Sequence, residues 1–281
     1  MIIQSARSPG SRALIACSVL VLSVVAWWLM GQTSVPPLKL PRISQVFGLL
    51  FKSDTDWPKS SGLTFLRVVT GLSLGGIAGW ALGLLMSHFR LVSAILDPLV
   101  EMVRPISPIV LIPFAILWLG LGTGSQIAII ALGCGMVILV STYEAARNVH
   151  PKFLLAARSL GASPRTVLWS VIVPAIRPHL LGAVRVAAGT GFGLTVAAEY
   201  LGAQGGLGYV IRNARTTLHT DSITLASILI GIEAIFLDRC IQWWWAVRTR
   251  WVEGRTETVS DRIIQLLGER SRRRLPTHET K

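Results

Sequence analysis

Polar and apolar residues along the 281-residue chain separate on a scale of tens of positions, not of two or four. Predominantly apolar stretches fall near 13–31, 63–87, 94–119, 124–146, 180–203 and 223–245. Each supplies the roughly twenty residues that a helix needs to cross the hydrocarbon core of a bilayer. Inside lipid only helices and closed barrels satisfy the backbone, and runs of this length fit helices. The pattern therefore predicts an all-α polytopic membrane protein with about six transmembrane helices. Its expected organisation is an N-terminus at 1–12, a first span at 13–31, a linker at 32–62, a core at 63–245 and a basic tail at 246–281.

Detail within the stretches sharpens this. The second repeats Gly71, Gly75, Gly79 and Gly83, a spacing that puts all four on one helix face where another helix approaches closely. The third carries Pro98, Pro105, Pro108 and Pro113, each of which removes a backbone donor and strains the helix. Broken helices are tolerated at membrane depth only against protein or a watery cavity, so Arg104, Pro105 and Pro108 are candidates for the wall of a pathway. A short amphipathic stretch lies in the linker, and "QGGLGYVIRNARTTLHTDS" after the fifth stretch suits a re-entrant or surface helix.

Composition fits a lipid environment: 52% of residues are hydrophobic, 15% are charged and the mean hydropathy is +0.58. The net charge is +13, and it is the distribution of the basic residues among the loops that sets orientation. Arginines and lysines gather at the N-terminus, after the second and fourth spans and in the tail, which places both termini on the cytoplasmic side. Lys39, Arg42, Lys52 and Lys59 on the opposite side make the asymmetry incomplete. The first span, too long for a signal-peptide core, reads as a retained signal-anchor.

Several chemistries lack their residues. Cys17, Cys134 and Cys240 have no disulfide or zinc spacing, and the five histidines are scattered without a paired or nucleophile motif. No lysine follows a glycine, so the phosphate loop of an ATPase is absent, and no enzyme activity is expected of the chain. A secondary transporter or channel, uncoupled to an ATPase, remains the alternative. Its usual intramembrane charges are few here: Asp97, Glu101, Arg104, Arg185, Glu199 and Glu233, most near span ends. Glu101 and Arg104, one turn apart, are expected to pair. Glu199 is expected to find Arg212 or Arg215, close by in sequence, and with Gly205 and Gly206 to anchor an outer gate.

The polar segment 147–179 is the most informative. "PKFLLAARSLG" opens on a proline suited to a first helical turn, continues in helix formers and stops at Gly161. Ser163 and Pro164 repeat the start signal for a second amphipathic helix running toward Pro174. A helix–turn–helix results, with Phe153, Leu154, Ala157 and Leu160 beside arginines. An exposed face of this kind implies a docking partner.

These residues resemble the "EAA" loop of bacterial ABC importer permeases, in which E-A-A precedes a glycine and, at fixed spacing, I-x-L-P. Ala156, Ala157, Gly161 and Pro174 fall in register, Val171 and Val173 are conservative changes, and Leu155 replaces the glutamate. The literal Glu144–Ala146 is out of register and belongs to the end of the fourth span. "DPLVEMVRPISPIVLIPFAILWLGLGTGSQIAIIALG", "RNVHPKFLLAARSLGAS" and "AAEYLGAQGGLGYVI" extend the resemblance to permeases of the nitrate/sulfonate/taurine group. It implies the type I permease fold in the bacterial inner membrane and a homodimer. It also implies two cytoplasmic ATP-binding subunits holding ATP and magnesium, an extracytoplasmic solute-binding protein, and no nucleic acid or cofactor on this chain. In the same resemblance Leu155, Ala156, Ala157, Arg158, Gly161, Ala162, Ser163 and Pro174 form the coupling helix that docks on the ATPase. Leucine at 155 implies docking more by apolar packing than by a carboxylate.

Overall fold

The computed structural model describes residues 18–19, 21–22, 25–29, 41–52 and 56–272. Every regular element among them is helical. The expected N-terminus at 1–12 and most of the first span at 13–31 lie outside the described residues; those described between 18 and 29 are helical.

The linker's amphipathic stretch forms α1 (Ile43–Lys52). Then follow α2 (Trp57–His88), α3 (Arg90–Val103), a 3-10 turn (Pro108–Leu111) leading into α4 (Ile112–Leu119), and α5 (Thr123–Arg147). The polar segment gives α6 (Pro151–Ser159) and α7 (Pro164–Val167), which passes through a π-helical turn (Leu168–Ile172) into α8 (Val173–Gly202). Last come α9 (Leu207–Thr216) and α10 (Thr220–Arg272). The chain divides into two compact units, Met1–Ile235 and Phe236–Lys281.

Prolines mark starts: α2, α4, α6 and α7 each carry one in their first turn, where the missing N–H would have had no partner. The glycine face of α2 packs on α5. A Cβ at Gly71 would stand 2.5 Å from Ile130 Cγ2 and one at Gly83 2.8 Å from the Leu139 carbonyl, while at Gly75 and Gly79 it would run into the backbone of Ala131 and Gly135. Such contact distances hold only for glycine, so this stripe fixes the α2–α5 register. On α5's other side Cys134 Sγ donates to the Ala187 carbonyl of α8 at 3.2 Å.

Four helical stretches are long and apolar enough to cross a membrane: Trp57–His88, Thr123–Arg147, Pro164–Gly202 and Thr220–Val247. Only 22–44% of their most apolar segments is buried inside the chain. The remainder presents residues such as Leu66, Leu74 and Ile77 outward, which water would not support and lipid does.

Three expectations change. The third span is not one helix: α3 and the Pro108–Leu119 helix meet at 89°, so the described residues hold four spans, or five if this bent pair counts as one. Pro105 follows the end of α3 and Pro108 opens the 3-10 turn, and the chain bends between them. The helical stretch that contains the fifth span begins at Pro164, well before residue 180, because the helix after Ser163 runs on into α8. Pro174 does not end it, since the wider π-helical turn just before it relaxes the hydrogen-bond ladder where the ring would clash. The last helix continues beyond 245 through the basic tail to Arg272.

Candidate functional site: an exposed hairpin and a buried ion pair

The hairpin between α5 and α8 is built by local signals. His150 caps α6, its Nδ1 accepting the Lys152 N–H at 3.2 Å, with Pro151 next. Ser163 Oγ accepts the Thr166 N–H at 3.2 Å and caps α7, followed by Pro164. Between them Gly161 adopts φ +78°, in the left-handed region that closes a helix, and its N–H donates to the Arg158 carbonyl at 2.9 Å. The Ala162 N–H completes the stop by donating to the Ala157 carbonyl at 3.1 Å.

This hairpin turns its apolar residues outward. Phe153 is 62%, Leu155 61% and Leu160 88% exposed, Ala156 and Arg158 are exposed, and Ala157, Ala162 and Pro174 are half-buried. The residue at the family's glutamate position is thus part of the bare surface. An exposed apolar cluster of this kind, on a short element with both helix starts capped, has the character of surfaces that meet a partner or a membrane.

The second site lies near the far end of α8. Glu199 is fully buried and bonds to Arg67 of α2, whose Nη1 stands 2.6 Å from Oε1. Thr64 Oγ1 lies 3.0 Å from both carboxylate oxygens and accepts the Leu207 N–H at 2.8 Å. The Gly208 N–H donates to Oε2 at 2.8 Å, and Arg67 Nη1 also donates to the Gly205 carbonyl at 2.8 Å. Gly206 turns the chain at φ +107° directly over the carboxylate, where any Cβ would collide with it. One ion pair thereby ties α2, α8 and the start of α9. Beside it Ser61 donates to Oε1 of buried Glu233.

Neither Arg212 nor Arg215 holds Glu199. Arg212 donates to the Ala203 carbonyl at 3.2 Å and stacks on Tyr209, and Arg215 bonds to the Tyr200 hydroxyl, a contact that raises its guanidinium above its ordinary value. Both point away from the buried carboxylate because α9 carries them outward past its first turn. Arg67, a lone arginine inside an apolar stretch, is the sequence signal for the true partner: an intramembrane charge requires one.

Glu101 and Arg104 do not pair either. Arg104 keeps helical backbone angles at the end of α3, but its Nη1 reaches instead to Glu144 Oε1 at 3.4 Å on the exposed end of α5. Arg104, Pro108, Gly133, Ser141, Glu144 and Thr190 line a cavity of about 300 Å³, while Pro105 is exposed beside it. No group of histidine, cysteine or acidic side chains among the described residues could hold a metal ion.

Residues 71–250 match the family described as the binding-protein-dependent transport system inner membrane component. The taurine transport system permease protein of Escherichia coli is 31% identical over 83% of this chain and 88% of its own length. The bicarbonate transport system permease protein of Synechococcus elongatus is 31% identical over 66% and 67% of the two chains. Among solved structures, an inward-facing form of the MetNI methionine ABC transporter superposes with a TM-score of 0.54, covering 68% of this chain and 98% of that one at 22% identity.

Proposed function

From the premise that the chain belongs to the binding-protein-dependent transport system inner membrane component family, and so is the permease of an ABC importer and not an enzyme, we propose how it couples and what it carries. Two copies assemble with two cytoplasmic ATP-binding subunits, which hold ATP and magnesium, and with an extracytoplasmic solute-binding protein. Both termini face the cytoplasm. The cargo is a small solute of the kind nitrate, taurine or an alkanesulfonate represents, in keeping with relatives named for taurine, aliphatic sulfonates and bicarbonate.

The observation that carries this reading is the outward apolar surface of the 151–167 hairpin, set between the ends of two spanning helices. Leu155, Ala156, Ala157, Arg158, Gly161, Ala162 and Ser163 form the coupling surface, with Pro174 at the entry to the span. Closure of the ATPase dimer pushes this rigid hairpin, and α8 carries the motion along its length because α7 runs into it without a break. At α8's other end the Arg67–Glu199 cluster, with Gly205 and Gly206, latches the extracytoplasmic gate. Arg104, Pro105 and Pro108 belong to the inner wall of the pathway.

Gly161→Val tests the coupling. A β-branched residue at positive φ strains the turn by about 1–2 kcal/mol, too little to prevent insertion. In proteoliposomes holding permease, ATPase and binding protein, solute uptake should be lost while ATP hydrolysis no longer responds to loaded binding protein. Normal uptake would remove the hairpin from the coupling path.

A further inference from the structure

We propose that the cavity between the ends of α2, α3 and α5 binds the phosphate diester headgroup of an anionic phospholipid. This does not depend on which solute is carried. The cavity has a volume of about 440 Å³ and is lined by Ser87, Arg90, Ser93, Asp97, Tyr143 and Arg147. Two guanidinium groups thus face one carboxylate. Neither arginine has an ion-pair partner among the described residues. Arg147 lies over the Tyr143 ring, 5.4 Å from its centre, and donates to its hydroxyl at 3.4 Å. Asp97 is engaged by that same hydroxyl, which donates to it at 3.4 Å, and Ser93 Oγ lies 2.7 Å from the Tyr143 hydroxyl. The tyrosine therefore stands between the acid and the arginine, and Arg90 is exposed and uncommitted.

Position selects a lipid over a free anion. α2 ends at His88 and α5 at Arg147, so the cavity stands where two spanning helices leave the hydrocarbon. On the outer face of α3 and at its start Phe89, Leu91 and Ile95 are exposed, Leu91 by 74%, an apolar surface of the kind that lies in lipid. Arginine-bearing pockets between spanning helices at this depth are suited to acidic headgroups.

The test is native mass spectrometry of the full-length permease titrated with phosphatidylglycerol, with phosphatidylcholine, or with inorganic phosphate. The wild type should retain phosphatidylglycerol in preference to phosphatidylcholine, whose choline offsets the phosphate. Arg90→Gln and Arg147→Gln should each weaken it about fivefold, and the double variant about thirtyfold. Arg90→Lys with Arg147→Lys should keep most of the preference, and Arg177→Gln, on an exposed arginine elsewhere, should change nothing. Absence of any preference in the wild type overturns the proposal without recourse to a variant. Displacement of the lipid by millimolar inorganic phosphate, or unchanged binding in a double variant that keeps its thermal stability, overturns it as well.

Discussion

The buried cluster around Glu199 and the hairpin around Gly161 solve opposite problems. At the first, charged and polar groups drawn from three helices turn inward: the carboxylate takes bonds from Arg67, Thr64 and Gly208, and its residue has no exposed surface. At the second, apolar side chains turn outward, and the polar bonds are spent locally on two caps and a stop. The contrast separates what holds this protein together from what it offers to others. A charge in a low-dielectric interior needs its partner to be present in the folded chain. An exposed apolar cluster suits a partner outside the chain, and under the proposed function that partner is the ATPase. Damage to the cluster should therefore show as lost stability, and damage to the hairpin as lost coupling in a well-folded protein.

Arg67→Met should have the largest effect. It leaves the Glu199 carboxylate buried and uncompensated, which by analogy with other buried pairs costs about 3–5 kcal/mol. Thermal unfolding of the purified permease should show a large fall in midpoint, and so should Glu199→Gln, which leaves the Arg67 guanidinium buried without its counter-charge. Equal stability of Arg67→Met and wild type would mean that the cluster is ornamental. Leu160→Asp comes next in effect on the whole molecule: no change in unfolding midpoint, but failure of the ATPase to co-purify or to respond to solute. A stability loss as large as that of Arg67→Met would erase the distinction between the two regions. Ser163→Ala is the mildest. Loss of one exposed N-cap costs about 1 kcal/mol, so partial weakening of ATPase association with transport retained is expected, read by titrating the ATPase against detergent-solubilised permease.

The same contrast explains what could be read from the sequence. Pro151, Gly161 and Ser163 announce the hairpin because caps and stops are set by neighbours in the chain. The spans are legible because lipid demands long apolar runs, and the four-residue glycine repeat of α2 is legible because helix geometry fixes which residues share a face. Glu199's partner is a tertiary fact: Arg67 lies 132 positions away, and nearby Arg212 and Arg215 compete for attention in sequence but not in space. The bend after α3 was foreshadowed by its prolines, although neither its 89° angle nor the Arg104–Glu144 contact follows from their spacing. The unbroken passage from α7 into α8 hides behind Pro174, which marks a helix boundary in most contexts and here follows a π-helical turn that accommodates it.

The most direct test of the account places a photo-cross-linking amino acid at Leu160, the most exposed large apolar residue of the hairpin, and a control at Trp118, 78% exposed on α4. Each variant is co-expressed with its ATP-binding subunit, solubilised as a complex and irradiated with and without ATP. The account predicts a covalent adduct with the ATPase from position 160, changing in yield when ATP is added, and none from position 118. An ATPase adduct absent at 160, or equally strong at 118, would contradict the assignment of this hairpin as the element through which ATP drives transport.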